Sequence, residues 1–96
     1  MASLKEIERL VKQAENTILA GNSAYAMENF WPGIEGAIHN CDELTCEESI
    51  DLVLITEDHL NKLGLQATTG EEPIDSIDEL RERTPPPNPP VTWIPG

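Results

Sequence analysis

Apolar residues recur at helical spacing in three stretches of this chain. Leu4, Ile7, Leu10, Val11, Ala14 and Ile18 fall within about 120° of one another at roughly 100° per residue, which predicts an amphipathic helix over 3–20. Ser3 and Glu6 have the spacing of a capping box, and Gly21-Asn22 supplies a stop with residues that tolerate positive φ. A second stripe, Met27, Phe30, Trp31, Ile34, Ile38 and Cys41, runs straight through Pro32. Proline removes a helical hydrogen bond and clashes with the preceding turn. The stripe therefore predicts one helix kinked at Trp31-Pro32, or two short helices sharing a buried face. Tyr25, Phe30 and Trp31 are three of the four aromatic residues, so this region is expected to supply the bulk of the core.

The clearest helix covers 45–63. Thr45 and Glu48 form a second capping box, acids crowd its first turn, and Lys62 suits its carboxyl end. Ile50, Val53, Leu60 and Leu63 are expected to face inward. Gly64 fits a left-handed position after the helix, with Leu65 folded back on Leu60. Further on, Ala67-Thr68-Thr69-Gly70 reads as a short linker. A brief helix over 73–83 follows, with Pro73 in its first turn, Ile74, Ile77 and Leu80 on one side, and a Glu79–Arg83 pair. Six of the thirteen residues from Thr84 to Gly96 are proline, which favours an extended, polyproline-like strap. The reading is all-α: a small bundle of three main helices, the second kinked or broken at Pro32, with a short fourth helix and a Pro-rich C-terminal strap. Residues 1–66 make the bundle, 67–83 the linker and docking helix, and 84–96 the tail.

Charge changes the picture more than size does. The chain has 96 residues with 18 acids against 6 Lys and Arg, for a formal charge of −12. That balance repels a phosphate backbone and argues against direct nucleic-acid binding. No apolar run exceeds Leu52-Val53-Leu54-Ile55, far short of the roughly 20 residues that span a bilayer. Lys5, Glu6, Glu8, Arg9 and Lys12 leave no uncharged centre for a secretory signal, and two cysteines point to a reducing compartment. A cytoplasmic protein is the expectation.

The charges are also unevenly placed. From Gln13 through Asn61 there are ten acids and no Lys or Arg. Glu47, Asp51 and Asp58 project within about 40° of one another on the third predicted helix, and Asp42 and Glu43 extend the stripe into its approach loop. Leu54 and Ile55 flank it, as an apolar pair inside an interaction patch does. Lys5, Arg9 and Lys12 form a basic cluster on the first helix, and with Trp93 and Ile94 of the tail they are candidates for self-association.

Catalytic chemistry finds little support. His39, Cys41, Cys46 and His59 are zinc-ligating types, but the H-x-C-x4-C-x12-H spacing lacks a C-x2-C knuckle. His59 lies roughly 20 Å along the helix from Cys46, too far for one tetrahedral site. A Cys41–Cys46 disulfide is geometrically open, and a small buried hydrophobe is the simpler role for Cys41. Glu47 and Glu48 oppose a lowered pKa at Cys46. No phosphate-binding loop, calcium loop, G-x-S-x-G elbow or H-E-x-x-H motif occurs. The expectation is a protein without enzymatic activity or cofactor: an acidic module that covers a basic site on a partner protein, as small phage-encoded counter-defence inhibitors and nucleic-acid mimics do. The basic surface of a nucleic-acid-binding complex would suit it. The alternative is a homo-oligomeric assembly protein, a dimer or larger, using the first helix, the acidic helix and the Trp93 tail as interfaces.

Overall fold

The computed structural model describes residues 2–86, and Trp93 and Ile94 lie outside the described residues. The fold is a small all-α bundle, with no strand among the described residues. Helix α1 is Leu4–Leu19, α2 is Ser23–Asn29, α3 is Trp31–His39 and α4 is Cys46–Gly64. Two short helices follow, α5 at Gln66–Thr69 and α6 at Ile77–Arg81. α1 packs against α2, α3 and α4, and α6 lies on α1 and α4. No described helix is long and apolar enough to cross a membrane.

Local chemistry explains most of the boundaries. The Ser3 hydroxyl accepts from the Glu6 amide at 3.2 Å, while the Glu6 carboxylate pairs with Arg9, so the first capping box is half formed. At the other end Gly21 has φ 93°, and the Asn22 amide reaches the Thr17 carbonyl at 3.1 Å, the closing bonds of a Schellman stop. The second stripe resolves into α2 and α3, broken at Phe30. Pro32 falls in the first turn of α3, where its missing N–H costs no helical bond. The Thr45–Glu48 capping box forms in full, with bonds of 2.8 and 3.1 Å.

Three expectations are corrected. α4 is turned so that Ile50 is 52% exposed, and the buried stripe is Ser49, Leu52, Ile55, Thr56, His59, Leu60 and Leu63. Ser49, Thr56 and His59 dilute the apolar signal of that stripe, which is why Ile50, on the opposite side of the helix at 100° per residue, looked like an inward position. Gly64 closes α4 in a helical conformation, and Leu65 is exposed. A Cβ at Gly64 would sit 2.7 Å from the Ser23 Oγ, so this glycine serves the close approach of α2. Ala67-Thr68-Thr69 is one helical turn ended by Gly70 at φ 69°.

The last helix is also shorter than expected. It begins at Ile77, because carboxylates of α1 take the backbone donors ahead of it. Glu15 accepts from the Ile74 amide at 2.9 Å, and Glu8 from the Ile77 amide at 2.6 Å. Residues 71–76 run without helix, and Ile74, Ile77 and Leu80 close the core beside Ile7, Val11, Ile34, Ile38 and Leu60.

Candidate functional site

The solvent face of α4 carries the acidic stripe. Glu47 and Asp51 are exposed, and neither makes an ion pair or side-chain hydrogen bond among the described residues. Asp42 is exposed in the approach loop, and Leu54 is half-buried. Asp58 is half-buried and pairs with Lys62 one turn on, Nζ to Oδ2 at 2.9 Å, which raises the Lys62 pKa. Glu43 serves α1, its Oε2 accepting from the Leu4 amide at 2.9 Å, where a carboxylate also suits the helix dipole. Ile55 is not part of an exposed pair. It is 5% exposed and belongs to the core: on α4 it lies about 40° from both Asp51 and His59, at the edge between the acidic stripe and the buried face, and α6 packs over that edge.

The basic cluster of α1 stays apart from this stripe. Arg9 pairs with Glu6, and none of Lys5, Arg9 and Lys12 bonds an acid of α4 among the described residues. Glu8, spaced to hold Lys12, is instead engaged with Ile77. A cation that does reach an acid of α4 is Arg81 of α6, 3.5 Å from Glu48 and 3.9 Å from Asp78. The Glu48 carboxyl titrates below its usual range, chiefly through its bond from the Thr45 amide. Between α4 and α6 lies a cleft of about 390 Å³, lined by Leu44, Leu52 and Ile55 together with Glu48, Asp51 and Arg81.

Below the surface is a polar cluster that composition and motif reading passed over. His59 sits in the core with its side chain fully enclosed, and both ring nitrogens meet carboxylates. Nε2 is 2.6 Å from Glu15 Oε2, and Nδ1 bonds Glu71. Arg83 Nη1 is 2.9 Å from the same Glu71 oxygen and 3.3 Å from Nδ1. The sequence-expected Glu79–Arg83 pair is therefore replaced by Glu71–Arg83. Burial alone would push the His59 pKa down, but hydrogen bonds and charge from Glu15 and Glu71 outweigh it and raise the value above 6.5. Burial also works to raise Glu71, and bonds from His59 and Arg83 bring it below 4.5.

The signal for this cluster was positional. His59 lies within about 20° of Leu52 on the helical wheel, at the centre of the inward face. Glu8 and Glu15 are seven residues apart at one edge of the apolar face of α1, so both reach the same neighbouring segment. A polar residue centred on an apolar stripe needs a partner, and here the partners come from three separate parts of the chain.

The thiols are less informative. Cys41 is buried in the core, Cys46 is exposed, and both are free, so the possible disulfide is absent. His39 is exposed at the end of α3. Among the described residues, no group of three or more His, Cys, Asp and Glu side chains has an arrangement able to hold a metal ion. No protein-family model matches this chain, and neither a curated protein nor a solved structure shows significant similarity to it.

Proposed function

We propose that this protein is a non-catalytic interaction module whose acidic α4 face covers a basic site on a partner protein, and that it acts there as an inhibitor. The observation that carries the reading is the row formed by Asp42, Glu47 and Asp51, exposed and without cationic partners among the described residues. Half-buried Leu54 lies beside the row and supplies apolar contact. Along the helix axis Glu47 and Asp51 are roughly 6 Å apart, so two cations of one surface can be met at once. A net charge of −12 adds long-range attraction for such a surface and speeds encounter. Basic proteins that otherwise hold nucleic acid are the partners of matching chemistry, and a nucleic-acid mimic of phage type fits this description.

The test is a capture experiment with the full chain immobilised, an extract of the native host, and elution by a salt gradient. The Glu47→Gln/Asp51→Gln/Asp58→Gln variant is run beside the wild type. A basic protein retained by the wild type and released at low salt from the triple variant supports the reading. Equal retention by both removes it. Light scattering on the free chain addresses the assembly alternative, since a strict monomer excludes a homo-oligomer.

A further inference from the structure

We infer that residues 70–83 form a pH-sensitive latch, clamped onto the bundle by a doubly protonated His59 and loosened when that ring gives up one proton. This inference is independent of what binds the acidic face. A carboxylate only accepts hydrogen bonds, so each ring nitrogen of His59 must carry a hydrogen to satisfy Glu15 and Glu71 together. Only the imidazolium has two. Its charge is balanced inside the core by Glu15 from α1 and by Glu71, while Arg83 supplies the second cation that Glu71 needs. On the same helix Lys62 lies near enough to feel Glu71 and Arg83. No charged side chain of α2 or α3 bonds the ring among the described residues.

Loss of a proton has an asymmetric result. The neutral ring keeps one N–H, and Glu15 is the acceptor enclosed with it, so the Nε2 bond is retained. The Nδ1 proton leaves to solvent past Glu71, whose side chain is 17% exposed. A lone pair on Nδ1 then faces a carboxylate oxygen, which is repulsive. Arg83 Nη1, already 3.3 Å away, is placed to donate to Nδ1 instead. Glu71 is the group displaced, and it leads into the run that reaches Ile74 and Ile77. Those residues are held by Glu15 and Glu8 through backbone amides and by burial of Ile74, Ile77 and Leu80. Gly70, at positive φ, is the joint at the start of the latch. The latch also carries Asp78, Arg81, Glu82 and Arg83, which line the cleft over Leu52 and Ile55, so loosening it widens that cleft.

Amide hydrogen exchange of the full chain between pH 5.5 and 9.0, corrected for the intrinsic pH dependence of exchange, tests the latch. Protection of the Ile74 and Ile77 amides is expected to fall by about tenfold or more, the equivalent of one charge-assisted hydrogen bond. Core amides at Ile38 and Leu60 should lose only the protection that the fall in global stability takes from them, and low urea should speed exchange at Ile74 and Ile77 far less than at these core sites, as a local opening does. Ring ¹⁵N shifts should report His59 doubly protonated at pH 5.5 and as the Nε2–H tautomer at pH 9.0. In Glu71→Gln the side-chain amide can serve either ring state, so the step in protection should vanish. Constant protection at Ile74 and Ile77 overturns the latch. So does exchange at Ile74 and Ile77 that urea speeds as steeply as at the core amides, a step that persists in Glu71→Gln, or a His59 ring already neutral at pH 5.5.

Discussion

Replacing Glu15 by alanine removes the acceptor shared by His59 Nε2 and the Ile74 amide. Taking one partner from a buried ion pair costs about 3–5 kcal/mol, because the other charge is left enclosed without compensation. The stranded Ile74 donor adds to that, though the two effects overlap within one cluster. A domain of this size holds only about 5–15 kcal/mol in total, with small domains toward the lower end. Glu15→Ala should therefore lie close to unfolding at pH 6. Glu15→Gln keeps the shape and one acceptor oxygen, and should lose about 1–3 kcal/mol. Urea denaturation followed by far-UV circular dichroism reads the difference, with a slope of about 1–3 kcal/mol per molar for a small chain.

The pH dependence of the same curves has a defined sign. The His59 pKa is raised in the fold, so its contribution is complete below 6.5 and drains away as pH climbs through the raised value. The Glu71 pKa is lowered, so its contribution is complete above 4.5 and is lost as pH falls through the depressed value. These two groups together favour the window between 4.5 and 6.5, and Glu15→Ala should flatten its alkaline side. Replacing Glu15 and His59 together by leucine should recover most of the loss, since an apolar pair has no desolvation penalty to offset. An alanine variant within about 1 kcal/mol of wild type at pH 6 would refute the claim that this cluster is buried and coupled.

Two further outcomes test the geometry of α4. Leu52→Ala should cost about 2–5 kcal/mol and Ile50→Ala no more than about 0.5 kcal/mol, and urea midpoints in the reverse order would return α4 to the orientation its apolar pattern implies. Gly64→Ala should miss the gain of about 1 kcal/mol that alanine normally brings to a helix, because its Cβ meets the Ser23 hydroxyl. In a Ser23→Ala background the gain should reappear in thermal melts.

Much of the bundle was legible along the chain because its signals are local. The α1 stripe, the Thr45–Glu48 box and the Gly21 stop depend on residues within a turn or two of one another, and each forms near the expected place. Pro32 marked the break between α2 and α3 for the same reason. The facing of α4 was harder. Its inward side includes Ser49, Thr56 and His59, and hydrophobicity alone cannot tell a satisfied core histidine from an exposed one. Ser49 finds the Ile38 carbonyl at 3.4 Å, whereas the buried Thr56 hydroxyl has no partner among the described residues.

Local periodicity, capping chemistry and charge count are properties of neighbouring residues, and the sequence alone determined an all-α chain with an acidic third predicted helix and no Lys or Arg between Gln13 and Asn61. The pairing of Glu15 and Glu71 with His59, and of Glu8 and Glu15 with the backbone of the last segment, joins residues 12 to 69 positions apart. Such contacts exist only once α1, α4 and residues 71–83 have packed, because a carboxylate gains enough from a buried partner to offset its desolvation only where that partner has been brought beside it. Tertiary structure therefore decided that Glu8 and Glu15 are framework, that Ile55 is core, and that Glu47 and Asp51 remain at the surface.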